Sequence, residues 1–136
     1  MLRPVPTRPL LLVLAACALA SCGDSGPSDE QQVRAALAEF ERATAARDYE
    51  ALCERVLAPK LVETVKQIGL PCEVALRKGF EDTEDPRLSV GEIKVEDDTA
   101  TAEVRSSAAG EPPSQDTVKL VRLDRGWRIS SLGSSP

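Results

Sequence analysis

Four thiols and one serine are the residues of this chain most open to chemistry: Cys17, Cys22, Cys53, Cys72 and Ser25. A thiol can take an acyl group, bind a soft metal, or pair with a second thiol. A serine can attack a carbonyl only when a base removes its proton and donors hold the oxyanion. Ser25 lies in the stretch "LASCGDSGP" at 19–27, three residues after Cys22. The chain of 136 residues contains no histidine. Zinc takes four ligands, and Cys53 and Cys72, the two thiols left once Cys17 and Cys22 serve elsewhere, fall short of that without histidine. No Cys-x-x-Cys pair and no Gly-rich phosphate loop is present.

The residues before Cys22 decide its chemistry. Arg3 and Arg8 are followed by the apolar run "LLLVLAACALA" at 10–20, and then by Ser21 and Cys22. That is the layout of a secretory signal, and the run is too short to span a bilayer, which takes about 20 residues. Leu19, Ala20, Ser21 and Cys22 resemble the signal peptidase site of bacterial lipoproteins. The resemblance implies removal of residues 1–21 and lipidation of Cys22. Leu14–Cys17 also fits that pattern but leaves a shorter apolar run, so Cys22 is the expected anchor. "GDSGP" resembles the nucleophile loop of trypsin-like serine proteases, but a serine in a Gly/Ser/Pro/Asp tether at 22–28, with no histidine, lacks both base and oxyanion hole. The expected location is the cell envelope, on the extracytoplasmic side of a membrane held through the Cys22 lipid.

With Cys17 removed and Cys22 acylated, Cys53 and Cys72 are left to pair. Outside the cytoplasm such a pair persists as a disulfide, so a Cys53–Cys72 bridge of structural kind is expected. Losing Arg3 and Arg8 from 17 basic residues, against 22 acidic ones, leaves a net charge of −7. An acidic domain repels phosphate backbones, which argues against nucleic acid as a partner. The same net charge gives no attraction to anionic lipid head groups.

The remaining residues suit one domain at 29–132, with 133–136 as a tail. Ser28 and Gln31 form a capping box, and Val33, Ala36, Leu37, Phe40 and Thr44 recur at helical spacing over 29–46. Asp48 caps a second helix carrying Leu52, Cys53, Val56 and Leu57. Pro59 opens a third, striped by Leu61, Val62, Val65 and Ile68 and ended by Gly69. Pro71 opens a fourth, with Cys72, Ala75, Leu76 and Phe80 inward. After the charged loop at 81–86 the period becomes two. Ile93 and Val95 lead to a turn at 96–98, and Ala100, Ala102 and Val104 follow. A loop at 108–116 precedes a strand read either from Val118 and Leu120 or from Val121 and Leu123. A turn at 124–126 leads to Trp127 and Ile129. Helices first and antiparallel strands after is an α+β order.

The pieces "VRAALAEFERATAARDYEALCERV", "VGEIKVEDDTATAEV" and "VKLVRLDRGWRISSL" resemble the nuclear transport factor 2-like superfamily, also called SnoaL-like. A one-helix cystatin-like fold is the nearest alternative, and the three extra helices argue against it. The resemblance implies N-terminal helices packed on a curved antiparallel sheet, cone-like, around an apolar pocket. Phe40, Leu76, Phe80, Val104, Leu120 and Trp127 are then the candidate lining, with plain core as the competing role. The partners implied are a small apolar ligand or an envelope protein, with a homodimer through the open sheet face as a further option. No catalytic residue, metal ligand or cofactor is assigned. Members that act as isomerases or dehydratases use buried carboxylates, tyrosine or histidine. Here Tyr49 sits at a turn, and the acids Glu81, Asp82, Glu84 and Asp85 sit in a solvated run. The expected role is therefore a non-catalytic binding or interaction module, the alternative a small pocket enzyme with a buried Asp or Glu.

Overall fold

A computed structural model describes residues 26–133. Cys17, Cys22, Ser25 and the expected signal at 1–21 lie outside the described residues, as does most of the expected tail. Four helices precede a four-stranded sheet: α1 (Asp29–Ala45), α2 (Tyr49–Ala51, continued by a π turn at Leu52–Val56), α3 (Pro59–Gln67), α4 (Cys72–Gly79), β1 (Arg87–Glu96), β2 (Thr99–Ser107), β3 (Ser114–Leu123) and β4 (Gly126–Leu132). The strands pair antiparallel in sequence order.

α1 starts where its end groups are satisfied. Ser28 Oγ accepts from the Gln31 N–H at 3.2 Å, and Gln31 Oε1 accepts from the Ser28 N–H at 2.8 Å. Asp29 and Glu30 place negative charge in the first turn, where the helix dipole favours it. The helix buries Val33, Leu37, Ala43 and Thr44. It ends in a Schellman turn: Asp48 N–H donates to Ala43 O at 2.9 Å, with Arg47 at φ 55° in the place glycine usually takes. Asp48 then caps α2, its Oδ1 accepting from Ala51 N–H at 3.0 Å.

The second helix is not one α-helix. After a single α turn it widens, and Leu57 N–H bonds back five residues to Leu52 O at 2.8 Å. Such one-turn π segments arise inside α-helices when an extra residue is accommodated. The widening leaves Glu54 O to accept from Arg128 Nη1 at 2.7 Å. It also delivers Leu57 and Ala58 to the edge of β4, where Ala58 N–H donates to Ile129 O at 2.7 Å. Cys53 in the π turn and Cys72 at the start of α4 form the disulfide, with Cα atoms 6.1 Å apart.

α3 differs from its sequence expectation. Its apolar stripe buries no residue: Leu61, Val62 and Val65 are half-buried and Ile68 is 76% exposed. The sheet follows its expected period, with Ala100, Ala102, Val104, Val118, Leu120, Trp127 and Ile129 facing the helices. β3 begins at Ser114, so the loop before it is shorter than expected. Its inward face is the Val118–Leu120 set, while Val121 is half-buried and Leu123 exposed. β1 carries a bulge between Val90 and Ile93. It bends the strand and leaves two residues, Gly91 and Glu92, outside the ladder.

Candidate ligand cavity

Thr44 and Phe40 lie one turn apart on α1, and the Thr44 hydroxyl is tied to Phe40 O at 2.7 Å. Phe80, at the end of α4, meets Phe40 edge to face, with ring centroids 6.5 Å apart and planes at 66°. These side chains, with Leu88 of β1, Val104 of β2, Val118 of β3 and Leu132 of β4, wall an apolar cavity of about 350 Å³. It opens at the end of the sheet where β2 finishes and β3 starts.

Several polar groups around the cavity are already engaged. Glu41 Oε2 accepts from the Leu88 N–H at 3.1 Å, so this carboxylate serves the edge of β1. Ser106 Oγ and Ser114 Oγ, paired across β2 and β3, are 2.8 Å apart, and Ser114 Oγ donates to Asp116 Oδ2 at 3.0 Å. The loops at the mouth are joined by Ala109 N–H donating to Glu84 O at 2.8 Å. Among the described residues no Asp or Glu is fully buried, and no three His, Cys, Asp or Glu side chains converge as metal ligands would. The one carboxyl displaced downward from its ordinary range, Glu39, lies outside the cavity. A hydrogen bond from Arg42 lowers it, against a smaller opposing effect of burial.

Of the residues expected to line a pocket, the structure brings Phe40, Phe80 and Val104 together at this cavity. Leu76, Leu120 and Trp127 are elsewhere, in the packed core. Leu76 is buried in α4. Leu120 points inward but toward the opposite end of the sheet, where it borders a second, shallower groove. Trp127 is 6% exposed, and the Arg122 guanidinium lies 4.8 Å from its ring centroid. Period two says which way a strand residue points, not how far along the cone it sits, so Leu120 and Trp127 could not be separated from Val104 by pattern. Leu88, Val118 and Leu132 were missed. Val118 does lie in phase with the inward alternation, whereas Leu88 is out of phase with Ile93 and Val95 until the bulge at Gly91–Glu92 resets the strand, and the Ser106–Ser114 contact needed the β2–β3 register.

No protein-family model matches the chain, and no curated protein matches it. Solved structures do resemble it. An NTF2-like protein of unknown function from Shewanella baltica OS155 superposes with a TM-score of 0.57 at 9% identity, covering 78% of this chain and 94% of its own. An NTF2-like protein of unknown function from Silicibacter pomeroyi DSS-3 gives 0.53 at 20% identity, covering 74% and 88%. A de novo designed NTF2 fold protein gives 0.52 at 14% identity, covering 82% and 90%. At these identities the likeness is one of fold.

Proposed function

We propose, for this chain with an NTF2-like fold, the role of a lipid-anchored extracytoplasmic module that binds a small apolar molecule in the Phe40–Phe80 cavity. The cavity carries the reading: its volume is at the lower end for small-molecule sites, and its lining is predominantly apolar. Two of the carboxylates beside it, Glu41 and Asp116, hold backbone and serine partners, an arrangement suited to shaping a mouth rather than moving a proton. The Cys53–Cys72 disulfide is compatible with a location outside the cytoplasm. No helix among the described residues is long and apolar enough to cross a membrane. Attachment would fall to the lipid on Cys22.

The test is a native mass spectrum of the full chain, extracted in detergent from a host that processes lipoproteins. The expected species carries the lipid on Cys22 and retains, or takes up when offered, an apolar probe such as N-phenyl-1-naphthylamine. Ser106→Trp, which fills the cavity from its wall, is expected to reduce probe binding at least tenfold while circular dichroism stays unchanged. A chain without lipid would overturn the anchor. Equal probe binding by the variant would overturn the cavity.

A further inference from the structure

The end of the molecule opposite the cavity combines three observations. First, the chain enters the fold there. Asp29, the first residue of α1, is ion-paired to Arg122 near the end of β3 at 2.7 Å. Cys22 is seven residues upstream, so at full extension its lipid lies within about 25 Å of that point. Second, two adjoining hollows at this end share Pro59 and Leu123 as walls. The larger, about 930 Å³, runs between α3 and the β2–β3 hairpin and is walled by Leu61, Ala100, Leu120, Val121 and Leu123. Leu123 is 37% exposed on the rim.

Third, the hollows are lined by five basic side chains, Lys60, Lys119, Arg122, Arg125 and Arg128, against two acidic ones, Asp98 and Asp124. Among the described residues only Arg122 of the five pairs with carboxylates, those of Asp29 and Asp98. The acidic run Glu81, Asp82, Glu84 and Asp85 lies at the cavity end, joined through Glu84 to the β2–β3 loop. The lining of the hollows is therefore net basic, although Asp29, Glu96 and Asp97 flank it and the net charge of the chain is negative.

We infer that this basic, apolar-edged end docks on the phospholipid surface, with the β3–β4 turn and the start of α3 in the headgroup layer. The inference rests on the lipid anchor proposed above. Net acidity does not oppose it. β2 runs from this end to the cavity over nine residues, about 25–30 Å. The Debye length at physiological salt is about 8 Å. The bilayer thus feels the nearest charges, and basic groups near an anionic surface are attracted. Docked this way, the domain holds its cavity mouth away from the membrane.

The experiment uses the full lipidated chain in vesicles of phosphatidylcholine and phosphatidylglycerol, 7:3, doped with headgroup nitroxide lipid. Leu123→Trp reports on the proposed contact and Ser107→Trp on the far end, each against the Trp127 background of the parent chain. The expected result is at least twofold stronger quenching at 123 than at 107, falling toward equality in an Arg125→Glu, Arg128→Glu background. Equal quenching at both ends on protein that still floats with the vesicles overturns the docking and leaves the anchor intact. Stronger quenching at 107 overturns the orientation. Protein that does not float, like a Cys22→Ala control, overturns the anchor itself. A second copy seated in the groove would appear as dimer in a native mass spectrum with probe 123 shielded from nitroxide, which also overturns the docking.

Discussion

Tyr49 and Trp127 each bury a polar atom, the phenol oxygen and the indole Nε1, with no protein partner. An unpartnered buried hydroxyl contributes only its desolvation cost. Tyr49→Phe is therefore expected to leave stability unchanged or to raise it by up to about 1 kcal/mol. A loss of that size on a denaturant curve would mean that the hydroxyl is bonded to ordered water. The Cys53–Cys72 bridge spans 19 residues of sequence, worth about 3 kcal/mol in the chain-entropy model. Cys53→Ala with Cys72→Ala is expected to lower the unfolding free energy by about that amount, read from thermal melts with and without reductant. Glu39 and Arg42 form an exposed pair one turn apart on α1. Because the Glu39 carboxyl is lowered in the folded chain, its stabilisation is present above the ordinary carboxylate range and lost as pH falls through it. Glu39→Gln should cost about 0.3–0.5 kcal/mol at pH 7 and nothing at pH 2. Equal cost at both would assign the effect to packing.

At the scale of elements, α1 also manages the edge of the sheet. Glu41 accepts the Leu88 N–H, and Arg34 donates to Val90 O and Gly91 O at 3.3 and 3.1 Å, beside the bulge. An open edge strand is a template for pairing with other chains, and these side chains occupy β1 where it would start. Glu41→Ala is expected to cost about 1–2 kcal/mol and to speed hydrogen exchange at the Leu88 amide more than at Val95. Uniform acceleration along β1 would place the effect elsewhere. The helices and strands were legible because caps, prolines and periods mark them locally: Ser28 with Gln31, Pro59, Gly69, and the alternation from Ala100. The π turn was not, since its extra residue fits both periods until Leu57 is seen to bridge Ile129. α3 misled for a related reason. Its stripe is genuine, but whether Ile68 is covered depends on what lies beside α3, and no local pattern encodes that.

At the scale of the whole molecule, the sequence conveyed a cone-like α+β fold, and half of the six residues it offered as pocket lining lie at the cavity. Strand phase sorts inward from outward, so Val104 and Leu120 look alike; only the assembled sheet separates the cavity end from the end where α1 begins. The core that joins the two ends is continuous, with Leu37, Leu52, Leu57 and Ile129 each at 1% exposure or less. Leu37→Ala is expected to cost 2–5 kcal/mol and to loosen both ends together, measured as a fall in melting temperature with reduced probe binding. A fall in stability with binding unchanged would show that the cavity wall is held by β2 and β3 alone.

The Asp29–Arg122 pair also acts as a mechanical fuse. A pull along the N-terminal segment meets this contact before any buried residue, and both side chains are more than a third exposed. Such pairs contribute 0–1 kcal/mol, so it yields first. The turn behind it, Asp29–Gln32, can then pay out from about 6 Å of helix to about 14 Å of extended chain. Val33, with no exposed surface, stops the unravelling there. The domain thus carries a short length of elastic slack where its N-terminal segment enters the fold, which takes up small displacements before any load reaches the core.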